Sequence, residues 1–232
     1  MVNKIAVVSF EKELIEKELP KYGLKVVKKN PELVIAFGGD GSLIFSEQAY
    51  PEVPKILIKM DKSKKYKGVD FSEILMKIKE GKYKIKKLMK LYALLNGKKE
   101  ISGMNDVNIH YYPPCALRFN AKLGDKKIEN VIGDGLIVST PYGSEAYFKA
   151  ITRKNFKKGI GVAFNNPVEE IKPKILKKDE QIKIKITRGP GLLACDCNKE
   201  VLKLKTKDEI RIHAVDNANI AVLEGMDLKI EL

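Results

Sequence analysis

The pattern of apolar and polar positions changes character once along the chain. In the first third, short apolar runs too continuous to keep a wet face alternate with helix-forming segments. Residues 3–9, 24–27, 33–37 and 55–59 read as strands, and residues 11–19, a stretch opening near Ser42, and residues 71–80 read as helices. Pro20 and Gly81 are placed to end the first and last of these helices. Strands alternating with helices predict a parallel sheet covered on both faces. From about residue 83 the period shortens to two. Asn96-Gly97 and Gly124-Asp125 are turn signals between apolar runs. Residues 181–187 put Ile182, Ile184 and Ile186 on one face and Lys183 and Lys185 on the other, the mark of an antiparallel sheet with one wet side. One helical interruption is expected over residues 143–150. The pattern thus predicts an α/β domain over residues 1–82 and a β-rich domain over residues 83–232, with the last residues packing back on the first domain.

Composition narrows the class. In 232 residues the hydrophobic share is 44% and the charged share 32%, enough apolar material for a packed core. No apolar run approaches the roughly 20 residues of a membrane-spanning helix. The N-terminal residues lack the apolar region of a secretory signal, so a cytoplasmic protein with no membrane partner is expected. Cys195 and Cys197 are too close for the usual zinc spacing, and only His110 and His213 are present. Reduced thiols and no protein-built metal site follow. The net charge is +14, carried by 40 Lys and only 4 Arg. Residues 55–99 alone hold 15 Lys against 4 acids, a stretch that attracts polyanions. The scarcity of arginine, the usual base-reading residue, argues against a nucleic-acid partner.

Three motifs carry chemistry. Phe37-Gly38-Gly39-Asp40-Gly41-Ser42 joins an apolar strand to a helix. Its glycines let a ligand lie against the backbone, and the helix start offers free amides to phosphate. A carboxylate inside such a turn suits a metal ion or a hydroxyl that must lose its proton. Asn105-Asp106 begins a strand. The third motif is the longest, Gly133-Asp134-Gly135-Leu136-Ile137-Val138-Ser139-Thr140-Pro141-Tyr142-Gly143-Ser144-Glu145-Ala146-Tyr147. In it Asp134 can accept from an amine or a ribose hydroxyl, helix-start amides can meet phosphate, and Tyr147 offers a flat face to a base.

In this order and spacing the three motifs resemble the ATP- or polyphosphate-dependent NAD kinases, over roughly residues 33–225. The resemblance implies a Rossmann-like α/β half and a β-sandwich-like half with the active site between them. By position, Asp40 is the catalytic acid–base residue for the adenosine 2′-hydroxyl of NAD, and Gly41 lies against substrate. Asn105 and Asp106 hydrogen-bond the dinucleotide. Asp134 contacts it from the same or a neighbouring subunit, and Glu145, Ala146 and Tyr147 form the adenine platform. Mg²⁺ or another divalent cation accompanies the donor, NADP is the product, and a homodimer or homotetramer is implied. Lys62, Lys64 and Lys65 stand where the family shapes its phosphate-side pocket, and Asp196-Cys197-Asn198 stands in place of an Asp-Gly turn. Two other classes remain open: a related kinase acting on a lipid or sugar hydroxyl, and a non-catalytic protein that binds dinucleotide or nucleic acid.

Overall fold

The computed structural model describes residues 2–59, 71–113 and 115–225, so Lys62, Lys64 and Lys65 lie outside the described residues. The chain divides into two compact units. One is built from the chain up to Leu88 and the stretch that starts at Asn217, the other from Met89–Asp216.

The first unit is the α/β one. Its elements in chain order are β1 (Lys4–Val8), α1 (Lys12–Glu16), β2 (Lys25–Val26), β3 (Leu33–Gly38), α2 (Asp40–Ala49), β4 (Lys55–Lys59) and α3 (Ser72–Glu80). The strands stand in the order β2-β1-β3-β4, all parallel. Every residue of β3 is buried, which is why its apolar run is unbroken: a parallel strand covered on both faces has no wet side. Phe37 of β3 meets Phe71 edge-on, with ring centroids 5.4 Å apart. Gly81 ends α3 in the left-handed region at φ 73°, as expected. Pro20 acts differently from the expectation. The helix read over residues 11–19 stops at Glu16, and Pro20 sits in the first positions of a 3₁₀ turn, Leu19–Tyr22, that Gly23 closes at φ 66°. The physical reason is that a proline at the start of a helical turn lacks only an amide that would be unpaired there anyway.

Among its described residues the second unit is strand and loop apart from a 3₁₀ turn, Tyr142–Glu145, and one short helix. It holds β5 (Tyr83–Leu95, from Met89 onward), β6 (Lys99–Gly103), β7 (Asp106–Tyr111), β8 (Leu117–Leu123), β9 (Lys126–Gly133), β10 (Gly135–Ser139), α4 (Tyr147–Thr152), β11 (Ile160–Asn165), β12 (Lys174–Leu176), β13 (Ile182–Arg188), β14 (Gly191–Cys195), β15 (Leu202–Leu204) and the first part of β16 (Glu209–Leu223). One antiparallel sheet runs β12-β11-β10-β7-β14-β15. In the other, β13 lies between β16 and β8, and β9 pairs with β8. Asn96-Gly97 and Gly124-Asp125 make the two expected hairpins, β5–β6 and β8–β9. Ile182, Ile184 and Ile186 are buried in the core that both sheets share, while Lys183 and Lys185 are exposed. Phe119 of β8 and Phe164 of β11 stack across that core at 6.2 Å. The last part of β16 belongs to the first unit, where Ile220 pairs in parallel with Lys55 of β4.

Candidate active site

In the first unit the Gly38-Gly39-Asp40-Gly41 turn leads straight from β3 into α2. Gly38 has φ 143°, and a Cβ there would stand 2.4 Å from the Ser42 Oγ, so this position demands glycine. Asp40 is the first residue of α2, at the positive end of the helix dipole. Its side chain is 61% exposed, and its carboxylate faces the Lys59 ammonium at 3.5 Å. The pairing follows from register: Lys59 ends β4 directly opposite Gly38. Gly39 and Gly41 have open space where a Cβ would project, leaving bare backbone beside Asp40. Behind this turn, Glu47 of α2 holds the fully buried Lys55 of β4 and ties the helix to the strand.

The second unit gathers the other motifs. Met104–Asp106 is a bend gripped from two sides. The Asp196 carboxylate accepts from the amides of Met104 (2.7 Å), Asn105 (2.7 Å) and Asp106 (3.0 Å). From the other side, Thr140 donates its hydroxyl to the Met104 carbonyl (2.6 Å) and its amide to the Asn105 carbonyl (2.9 Å). The Thr140 hydroxyl in turn accepts from the Gly143 amide at 2.9 Å. Gly143 has no room for a side chain, since a Cβ would lie 2.1 Å from the Asn105 carbonyl oxygen. The long motif is therefore locked onto the Asn-Asp motif through Thr140 and Gly143.

Asp106 is 8% exposed, and its carboxyl is pushed up to about 7, first by burial and then by the neighbouring charge of Asp196. Asp196 is also raised by burial, against the lowering effect of its three amide donors. Tyr147 opens α4, half-buried, with its hydroxyl accepting from the Asn165 side-chain amide at 3.0 Å. Burial raises its pKa, and the charges of Asp106 and Asp134 raise it further. Asp134 lies in the turn between β9 and β10, where the Asn166 side chain donates to it at 2.8 Å. Its neighbour Gly135 is at φ 143°, with the Ile109 carbonyl oxygen only 1.9 Å from a would-be Cβ. Glu145 is exposed and engages Lys149 at 2.6 Å and the Asn155 side chain. Ala146 is exposed beside it.

Of the expected site residues, Asn105, Asp106, Asp134 and Tyr147 come together within the second unit. Asp40 and Gly41 share the turn of the first. Sequence alone does not mark Asp196, Thr140, Asn165 and Asn166 as site residues. The Asp196-Cys197-Asn198 turn was the available signal for the first of them. Chemically the second unit offers a backbone bend with polar side chains beside a half-buried aromatic ring, which suits a nucleoside. The first offers a carboxylate, a helix N-terminus and a cation, which suits phosphate chemistry.

Residues 104–223, more than half of the chain, match the family model of the ATP-NAD kinase C-terminal domain. The chain belongs to the NAD kinase family. The NAD kinase of Saccharolobus islandicus (strain M.14.25 / Kamchatka #1) is 33% identical over 162 residues, covering 67% of this chain and 64% of that protein. The chain thus spans less than two thirds of that relative's length. The bifunctional NADP phosphatase/NAD kinase of Methanocaldococcus jannaschii is 28% identical over 199 residues, 79% of this chain and 34% of its own length. Among solved structures, yeast NADH kinase complexed with NADH superposes with a TM-score of 0.76 over 98% of this chain and 84% of that one, at 14% identity. The Archaeoglobus fulgidus NAD kinase in complex with ATP gives 0.74 over 97% and 94%, also at 14%. At this identity the likeness to the solved structures is one of fold, and it covers both halves of this NAD kinase family member.

Proposed function

We propose that this family member is an NAD kinase, transferring a phosphoryl group from ATP or polyphosphate to the 2′-hydroxyl of the NAD adenosine to give NADP. The observation that carries the reading is the Asp40 carboxylate at the head of α2, exposed beside Lys59 on a turn whose glycines leave the backbone bare. A protein that only bound dinucleotide would gain nothing from a carboxylate facing phosphates. In the reaction the 2′-hydroxyl proton passes to Asp40 as the new O–P bond forms and the donor's P–O bond breaks. Asn105, Asp106, Asp134 and the Glu145-Ala146-Tyr147 segment orient the nucleoside, with the Tyr147 ring beneath the base. Lys59 supplies positive charge near the transferring group.

A divalent cation such as Mg²⁺, bound to the donor, supplies further neutralisation of phosphate charge. Among the described residues no three His, Cys, Asp or Glu side chains gather into a cage for an ion. Mg²⁺ on substrate phosphates usually takes only one or two protein carboxylates, and Asp40 fits that share. A cytoplasmic homodimer or homotetramer belongs to the same reading. Among the described residues no helix is long and apolar enough to cross a membrane.

The test is NADP formation, read by an NADP-specific dehydrogenase, with ATP or polyphosphate as donor and with or without Mg²⁺. Divalent-dependent NADP formation is expected. NAD binding without NADP from either donor would leave a dinucleotide-binding protein and end the kinase reading. Phosphorylation of a lipid or sugar hydroxyl in place of NAD would move the protein to the related class.

A further inference from the structure

Resting on that reading, and going beyond it, we propose that Asp196 is the positioning residue of the dinucleotide site: its carboxylate holds the Asn105–Asp106 bend in the shape that meets the bound nucleoside. The geometry is specific. Asp196 lies about ninety residues from the bend in sequence, yet it accepts three consecutive backbone amides, at 2.7, 2.7 and 3.0 Å. Its own amide returns a bond to the Asp106 carbonyl at 3.0 Å, so the two segments are clamped in both directions. It adopts φ 49°, in the left-handed region that Asp tolerates better than most residues. Gly103, one residue before the bend, is the complement of this clamp: a Cβ there would lie 2.6 Å from the Asp196 carboxylate.

The clamp also decides where a proton sits. Asp106 and Asp196 are both buried carboxyls and near neighbours, so keeping both ionised is costly. Asp196 has three amide donors and the favourable charge of buried Lys90 on β5. Those favour the ionised form on Asp196 and leave the proton to Asp106. The other titratable groups around them do not oppose this. Cys195, on β14, is buried and its thiol is pushed up by burial and by both aspartates, so it stays neutral. Tyr147, from α4, is likewise pushed up and stays protonated. A protonated carboxyl in this place presents an O–H to an acceptor on the ligand, whereas an ionised one presents only acceptors.

The decisive experiment is a titration of ¹³C-labelled aspartate carboxyls in the ligand-free wild-type protein and in Asp196→Asn and Asp106→Asn. It is paired with NAD affinity and with kcat and KM from pH 5.5 to 9. In wild type Asp106 should titrate near 7. Dinucleotide affinity should then weaken as pH rises through that value, because the donor proton is lost. Asp196→Asn removes the like charge, so the Asp106 midpoint should move to lower pH. KM for NAD should rise about ten-fold or more, the scale of lost hydrogen bonds to a charged group, with kcat changed much less. Asp106→Asn keeps a donor at every pH and should flatten the affinity profile. A residue that merely stabilised the fold would lower the melting temperature without moving these profiles. If Asp106 titrates in the ordinary carboxylate range in wild type, or if the Asn variant at 196 leaves midpoint and KM unchanged, the inference is overturned. The wild-type titration stands even should that variant fail to fold. Absence of NADP formation together with the expected titration would sink the kinase reading and leave the clamp intact.

Discussion

Each unit buries a carboxyl next to the motif that matters, and the two are handled in opposite ways. In the α/β unit, Glu47 is buried against Lys55, acid against base, at 4% and 0% side-chain exposure. In the β unit, Asp106 is buried against Asp196, acid against acid. Pairing with a cation cancels the charge and turns the interaction into a brace that sets α2, and with it the Asp40 turn, on β4. Facing another carboxylate favours keeping one proton on the pair. Burial alone does not set what an acid does; the charge of its neighbour does.

The largest effect should come from breaking the brace. Glu47→Ala takes from Lys55 its buried carboxylate, and a loss of about 3–5 kcal/mol in unfolding free energy is expected. Denaturant melts check this, and a loss below about 1 kcal/mol would show that the Lys55 charge is satisfied without Glu47. Next, Asp40→Asn keeps shape and removes the proton acceptor. It should cost about 10²-fold or more in kcat, with KM for NAD changed far less. Retention of more than half the turnover would take the catalytic role from Asp40.

Tyr147 probes the β unit. Tyr147→Ala should weaken NAD binding by about 1–3 kcal/mol through lost stacking, measurable by calorimetry. From sequence alone Tyr147→Phe would be nearly silent. The Asn165 bond to the hydroxyl alters this, and Phe should cost about 1 kcal/mol of stability while retaining most of the affinity. The pH dependence of stability follows from the sign of the Asp106 shift. A carboxyl raised from 3.8 to about 7 favours the folded state at low pH, and that contribution is lost as pH rises through about 7. Melting temperature should therefore decline from pH 6 to pH 8 in wild type, and this decline should vanish in Asp106→Asn. The smallest effect belongs to Gly41→Ala. Open space surrounds that position, so the helix should gain about 0.5–1 kcal/mol. A fall in activity with that gain in stability would place substrate against the backbone at Gly41.

Much of the fold was legible because its signals are local. A fully apolar five- or six-residue run, a helix ended by glycine, and an Asn-Gly hairpin each depend on neighbours a few positions away. Pro20 is ambiguous in the sequence because proline both ends helices and begins short turns, and the residues around it do not distinguish the two. Within the site, the glycine-framed motifs stood out, since Gly38, Gly135 and Gly143 answer to backbone atoms that leave no room for a side chain. The helpers did not. Thr140 and Asn165 are ordinary polar residues until the strands align them.

The two-part architecture, the order of the motifs and the family to which they belong follow from the amino-acid order alone. Hydrophobic period and turn chemistry act over a few residues and are written directly in the chain. How each carboxyl is used depends on packing between segments far apart in the chain. Lys59 reaches Asp40 because β3 and β4 pair in a particular register. Asp196 meets the amides of Met104–Asp106 because the turn after β14 is brought against the bend before β7. Proton affinity is set by burial and by the nearest charge, and neither quantity exists until distant segments have folded together.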